Sequence, residues 1–387
     1  MVSIDESRLD DAEAIEATDT RATLRALATA GAQVRRAMLA ADEGGIERVC
    51  GGDRPRAVVV ASLGGSAVVA DILDALAEPG SPVPVSTCRD TPLPGWVGPL
   101  DLVVAVSQSG RAAGPLALAA EAARRGACLL TVGAADSPLE EVCRRGRGVH
   151  VTVERPAPSS RTALWSLLTP VLLAADALGL AAVPRSVLDR LADVLDERAE
   201  ECRPASESFV NPAKTLALDL SATVPVVLGD GPLTGVAAGR AAAMLARTAR
   251  YPTTHGFLPE AASQIVACFD GPFAGGGSGG GGDLFADPYL DGPGLPPLGL
   301  LLLRDLLPTP LTQEAVEAAA LADAVAASAR EAGVRVWEVR APEEPAALVR
   351  LGSHIALTDY AATYLALGLG LDPAVSPHVS DLRDRTR

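Results

Sequence analysis

The chain has 387 residues, a formal net charge of −15 and a sequence pI of about 4.8. That length suits two ordinary domains or one large one and excludes a single small module. Scattered acidic residues disfavour non-specific nucleic-acid binding, and an aromatic content of 3% against 48% hydrophobic leaves little ring surface for stacking bases.

The opening Met1-Val2-Ser3-Ile4-Asp5-Glu6 has no basic segment leading into an apolar stretch, so no secretory signal is read. Apolar runs such as Leu298 to Leu303 are too short to span a bilayer, and the expectation is a soluble, cytoplasmic protein without a membrane partner. Apolar positions at helical spacing over 9–40 predict one or two leading helices, within an N-terminal helical segment 1–45. From residue 46, strands predicted at 57–62, 83–86, 102–106, 127–132 and 149–153 alternate with helices at 66–77, 112–125 and 137–145, the pattern of a parallel sheet covered on both faces. A helix over 161–178 closes this first domain, 46–185, and an amphipathic helix over about 185–203 leads into Asn211-Pro212-Ala213-Lys214, with the boundary near 180–205. Alternation then resumes in a second domain, 205–387, with strands at 224–228, 264–268, 298–303 and 334–339 and helices at 232–249, 311–331 and 353–369. Within it, 272–297 is so rich in Gly and Pro that a linker-like surface loop is predicted rather than a nucleotide-binding loop.

Cys50, Cys88, Cys128, Cys143, Cys202 and Cys268 form no C-x-x-C pair, and His150, His255, His354 and His378 show no ligand spacing, so reduced thiols and no metal site are expected. The chemistry lies instead in two turns. Ser62-Leu63-Gly64-Gly65-Ser66 follows the apolar run Ala57 to Val60, and Ser107-Gln108-Ser109-Gly110 follows Leu102 to Val106. A turn from a buried parallel strand into a helix points free N–H groups and the positive dipole end at an anion, and serine hydroxyls complete such a cradle. One such turn is ordinarily a turn former and N-cap. Two of them, about 45 residues apart, suit successive βα units of one sheet and favour phosphate.

These turns carry a resemblance to a known family. Leu63-Gly64-Gly65-Ser66-Ala67 resembles the Gly-x-Gly-Gly-Ser-Ala turn of the bifunctional phosphoglucose/phosphomannose isomerases, which are double sugar-isomerase (SIS) domain proteins. Ser107-Gln108-Ser109-Gly110 is similar to that family's Ser-Tyr-Ser-Gly-Asn-Thr phosphate loop, and Arg161 sits where it has Pro-Arg-Ala-Ala-Leu. Asn211-Pro212-Ala213-Lys214, Pro252 to Glu260, Asp359-Tyr360, Tyr364 to Leu367 and Asp372-Pro373 match further segments in order. The resemblance implies an α/β fold of two flavodoxin-like SIS subdomains, each a mostly parallel five-stranded sheet flanked by helices. It also implies a homodimer that binds a hexose 6-phosphate without metal or nucleotide cofactor. The ligand groups it implies are Gly64, Gly65, Ser66, Ser107, Ser109, Gly110 and Arg161, with Arg383 falling where the family has a Lys that reaches into the site, or else in a basic tail.

The catalytic pair departs from the family. Aldose–ketose isomerisation needs a base to move a proton between C1 and C2 and a second group, often His, to open the ring. The family's basic Glu falls on Arg247, which stays protonated at neutral pH, and its ring-opening His has no counterpart in Pro259-Glu260-Ala261-Ala262-Ser263-Gln264. Arg111-Ala112 replaces Asn-Thr after the phosphate loop, and Asp372-Pro373-Ala374-Val375 replaces Asp-Pro-Thr-Pro. Glu260 and His255 are the candidates for a relocated acid and base, set against a helix-start carboxylate and a solvated loop imidazole; Arg247 reads as a solvent-facing charge or a new anion contact. Three functions remain open: a sugar-phosphate binding protein with isomerase activity weakened or lost, a noncatalytic sensor or partner of a metabolic enzyme, and an enzyme acting through Glu260 on an acidic or amino-sugar phosphate.

Overall fold

A computed structural model describes residues 4–153, 159–274 and 295–385, so 275–294 of the predicted Gly-rich loop lie outside the described residues. The chain divides into two compact units. One comprises residues 28–197 with 346–349, and the other takes 198–345 and 350–387 together with the N-terminal stretch through Leu27. The leading helical segment is therefore split: its last helix, Ala30–Gly44, packs on the helix Leu164–Ala177 within the first unit, whereas Asp5 N–H donates to the Gly368 carbonyl within the second.

The first unit is built on five parallel strands, β1 (Val58–Ser62), β2 (Val85–Cys88), β3 (Leu102–Ser107), β4 (Cys128–Gly133) and β5 (Val149–Thr152), in the order β2-β1-β3-β4-β5. β1 and β3 are buried at every position, as expected of runs of Val, Leu and Ala covered on both faces. Val59, Ala61, Val103 and Ala105 face Leu118, Ala119 and Ala122 of the helix Ala113–Arg125. The helix Val68–Ala77 packs instead with Leu164–Ala177. Right-handed crossovers thus send the helices after β1 and β3 to opposite faces.

The second unit carries β6 (Val224–Gly229), β7 (Thr254–Phe257), β8 (Leu298–Arg304) and β9 (Arg335–Arg340), parallel and ordered β7-β6-β8-β9. Among the described residues this sheet has four strands, which corrects the expectation of five. Its edge also differs from the reading of the sequence: the predicted strand 264–268 is the helix Ala262–Ala267 and a following turn, and the strand is Thr254–Phe257. Gln264 to Cys268 is apolar enough for a strand, but as a helix it buries Ile265 against the β6–β8 face, while β7 is too exposed to show an apolar run. The helix predicted over 232–249 is α-helical over Pro232–Met244 and ends in a π-turn, Leu245–Ala249.

Two buried polar features tie this unit together. Asn211 Oδ1 accepts the N–H groups of Ala213 and Lys214, so Asn211-Pro212-Ala213-Lys214 is a helix start with proline in its first turn. The fully buried Lys214 ammonium donates to the carbonyls of Pro204 and Ser206 and to Asp10, and lies 5.5 Å from the centre of the Tyr364 ring. Arg240 meets Asp359 in a two-pronged pair, Nε to Oδ1 at 3.1 Å and Nη2 to Oδ2 at 2.9 Å, with side chains 3% and 6% exposed. Asp359→Ala removes the carboxylate paired with a buried guanidinium, and urea denaturation should show a loss of about 3–5 kcal/mol; a loss below about 1 kcal/mol would contradict it.

His354 supplies a pH dependence. It is 2% exposed, and its Nε2 lies 3.2 Å from the Arg304 carbonyl. Burial, reinforced by Arg198 and Arg350 and opposed by that carbonyl and Asp305, pushes its pKa down to about 4. The unfolded chain, with an imidazole pKa of about 6.5, takes up the proton first as pH falls. The stability contribution is therefore complete above about pH 6.5 and is lost towards pH 4, by up to about 3 kcal/mol. His354→Gln should flatten that decline in denaturation series between those limits; an unchanged slope would contradict the assignment.

Candidate functional site

The order β2-β1-β3 puts the first unit's switch point between β1 and β3, where connections leave in opposite directions. Both serine turns stand there. Gly64 opens the first turn at φ +67°, in the left-handed region that glycine enters without strain. Ser62 donates to the Ser66 carbonyl and Ser66 donates to the Leu63 carbonyl at 3.1 Å, so these hydroxyl protons shape the turn itself.

The second loop is arranged differently. Ser107 Oγ accepts the Ala112 N–H at 3.4 Å and Ser109 Oγ accepts the Arg111 N–H at 3.2 Å. Each oxygen is fixed by an incoming donor, and each hydroxyl keeps its own proton to give away. Gly110, at φ +63°, donates to the Ser107 carbonyl, and a Cβ there would collide with the Ser137 hydroxyl at 2.1 Å. The following helix, Ala113–Arg125, has no side-chain cap, and in its first three positions only Ala113 and Gly114 carry an N–H, the third being Pro115. Arg111 adds an exposed cation beside the loop.

Arg161 joins this group. A Cβ on Gly65 would lie 3.6 Å from Arg161 Cγ, so the structure brings Arg161 to the first turn although β2 through β5 intervene in the chain. Leu63 abuts the helix after the second loop, where a Cβ on Gly114 would meet Leu63 Cδ2 at 2.9 Å. Gly64, Gly65, Ser66, Ser107, Ser109, Gly110 and Arg161 thus all belong to the first unit and border one sheet end.

His255 and Glu260 belong to the second unit. His255 is exposed on β7, its ring near Gly239, and Glu260 is exposed in the turn after that strand. Arg247 is exposed in the π-turn. Arg383 falls in the helix Pro377–Arg385, but its side chain lies outside the described residues.

The second unit has its own switch point, between β6 and β8, and its chemistry is opposite. Asp230, directly after β6, accepts the Thr234 hydroxyl at 2.8 Å and the Asp305 N–H at 3.0 Å. Burial raises its carboxyl pKa, against the hydrogen bonds from Thr234 and Asp305. Arg350 in turn engages Asp305 at 2.5 Å. A carboxylate that already consumes the local donors repels phosphate, so the two sheets are not equivalent sites. The sequence signal was present as Gly229-Asp230-Gly231, but an Asp in a turn also reads as a turn former.

Comparison with known proteins bears on the fold and the family likeness. Residues 209–386 match the family described as bacterial phospho-glucose isomerase C-terminal SIS domain. A bifunctional phosphoglucose/phosphomannose isomerase from Caldicellulosiruptor bescii is 28% identical over 195 residues, 50% of this chain and 57% of that relative, so the match spans little more than half of the relative's length. Among solved structures, a hypothetical protein from Thermus thermophilus superposes with a TM-score of 0.67 at 17% identity, over 97% of this chain and 94% of its own. A putative phosphosugar isomerase from Silicibacter pomeroyi gives 0.62 at 19% identity, over 91% and 99%. At these identities the structures speak for the fold, and the sequence matches support an SIS, phosphoglucose isomerase-like chain.

Gly110→Ala tests the loop directly. The left-handed backbone and the collision with Ser137 should together cost about 1–3 kcal/mol in denaturation experiments; an unchanged midpoint would contradict this geometry.

Proposed function

We propose that this SIS, phosphoglucose isomerase-like protein binds a phosphorylated hexose or a related sugar derivative at the β1/β3 opening of its first unit, with isomerase chemistry weakened or lost. What carries the reading is the second loop: two hydroxyls held by incoming N–H groups, with their own protons free, in front of an uncapped helix start. A dianionic phosphate takes two hydroxyl donors and the helix end together, and overcomes the protein's net charge of −15 through these local groups.

The loss of chemistry rests on Arg247, which stands where the resemblance places the base and cannot abstract a proton at neutral pH. If turnover survives, it interconverts an aldose 6-phosphate and fructose 6-phosphate through an enediol, with Glu260 as the relocated base and His255 as its partner. If none survives, the protein is a ligand sensor, whose association with a metabolic enzyme follows sugar-phosphate occupancy. Arg247 favours this second reading. The homodimer and the cytoplasmic location remain part of the proposal, on the family resemblance.

The test is a coupled assay on mannose 6-phosphate, glucose 6-phosphate and fructose 6-phosphate, beside calorimetry on the same ligands. Replacing Ser107 and Ser109 together by Ala should weaken binding at least tenfold, as expected from about 1.5–3 kcal/mol for each hydrogen bond to a charged group. Unchanged affinity would refute the cradle. Turnover that Glu260→Gln abolishes while binding persists would establish an enzyme; binding without turnover at any pH would establish the sensor.

A further inference from the structure

We propose that Ser160 is a specificity-determining residue of the same opening, its hydroxyl donating to a sugar oxygen at the end of the ligand away from the phosphate. The inference rests on the sugar-phosphate reading above.

Its basis is the contact between two distant parts of the chain. A Cβ built on Gly65 would lie 2.5 Å from Ser160 Oγ. The hydroxyl therefore fills the space that a side chain at position 65 would take, over the backbone of the first turn. A second turn holds it there. Thr162 donates its N–H and its hydroxyl to the Ser159 carbonyl at 3.1 and 3.0 Å, and the Gln33 amide donates to the Thr162 carbonyl at 2.9 Å. Ser160 and Arg161 are the corner residues between these fixed points, and both are half-buried.

The first turn has two sides. Leu63 faces the start of the helix Ala113–Arg125, next to Ser107 and Ser109, while Gly65 faces Ser160 and Arg161. On the sugar-phosphate reading, a hexose 6-phosphate held by the Ser107 and Ser109 hydroxyls would run from the Leu63 side of the turn to its Gly65 side, where Ser160 lies. A hydroxyl there both donates and accepts, which suits a sugar hydroxyl or carbonyl oxygen. A site built to hydrogen-bond a substrate oxygen discriminates against analogues that lack it.

Calorimetric titration of the full chain with glucose 6-phosphate and with inorganic phosphate separates the roles. Ser160→Ala should weaken glucose 6-phosphate binding about three- to tenfold and leave inorganic phosphate affinity unchanged. Unchanged glucose 6-phosphate affinity, or an equal loss for both probes, would overturn the assignment while the cradle stands. A wild-type chain that binds neither probe would overturn the cradle and this inference with it. The contact itself is tested by melting temperature. Gly65→Ala collides with the Ser160 hydroxyl, and adding Ser160→Ala relieves the collision, so the double variant should melt higher than Gly65→Ala alone; equal melting would refute the geometry.

Discussion

Two adjacent parallel strands, β1 and β3, send their helices to opposite faces of one sheet, and this winding sets where the proposed ligand site of the first unit lies. The opening is a consequence of chain direction rather than of any residue placed in it. Right-handed crossovers put the switch point between β1 and β3, and loops that must turn there bring backbone N–H groups with them. On the proposed reading, serine and glycine make that strand end an anion site. Serine supplies hydroxyl donors, and the glycines at 64 and 110 supply left-handed backbone.

The second unit shows that the same winding does not dictate the same chemistry. Its opening between β6 and β8 is occupied by Asp230, which accepts from Thr234 and Asp305, and a phosphate there would meet a carboxylate. Other buried charges of that unit are engaged within its architecture, Arg240 with Asp359 and Lys214 near the Tyr364 ring. Several segments of the resemblance, Asn211 to Lys214 and Asp359 among them, therefore serve architecture. Similarity in such segments transmits a fold more securely than an activity.

Much of this was legible in the sequence because it is local. Apolar runs at 57–62, 102–106 and 298–303 gave strands because fully buried parallel strands tolerate nothing else. The serine turns were legible as a pair, because two strand-to-helix turns about 45 residues apart suit successive βα units of one sheet. The edge of the second sheet was not, since β7 is short and exposed while the apolar Gln264 to Cys268 is a helix packed on one side. Position 160 was missed for a different reason. Its meaning comes from Gly65, and nothing local records that a hydroxyl stands over a glycine far upstream. Asp230 was missed because its carboxylate acquires its role only when β8 delivers the Asp305 N–H.

The most direct measurement is calorimetric titration of the full chain with glucose 6-phosphate and, separately, with glucose. Saturable binding of the phosphorylated sugar with none of the unphosphorylated one is the expected result, since the fixed hydroxyls of Ser107 and Ser109 and the open helix start all favour an anion. Equal affinity for both sugars, or no binding of either, would contradict a phosphate cradle at the β1/β3 opening.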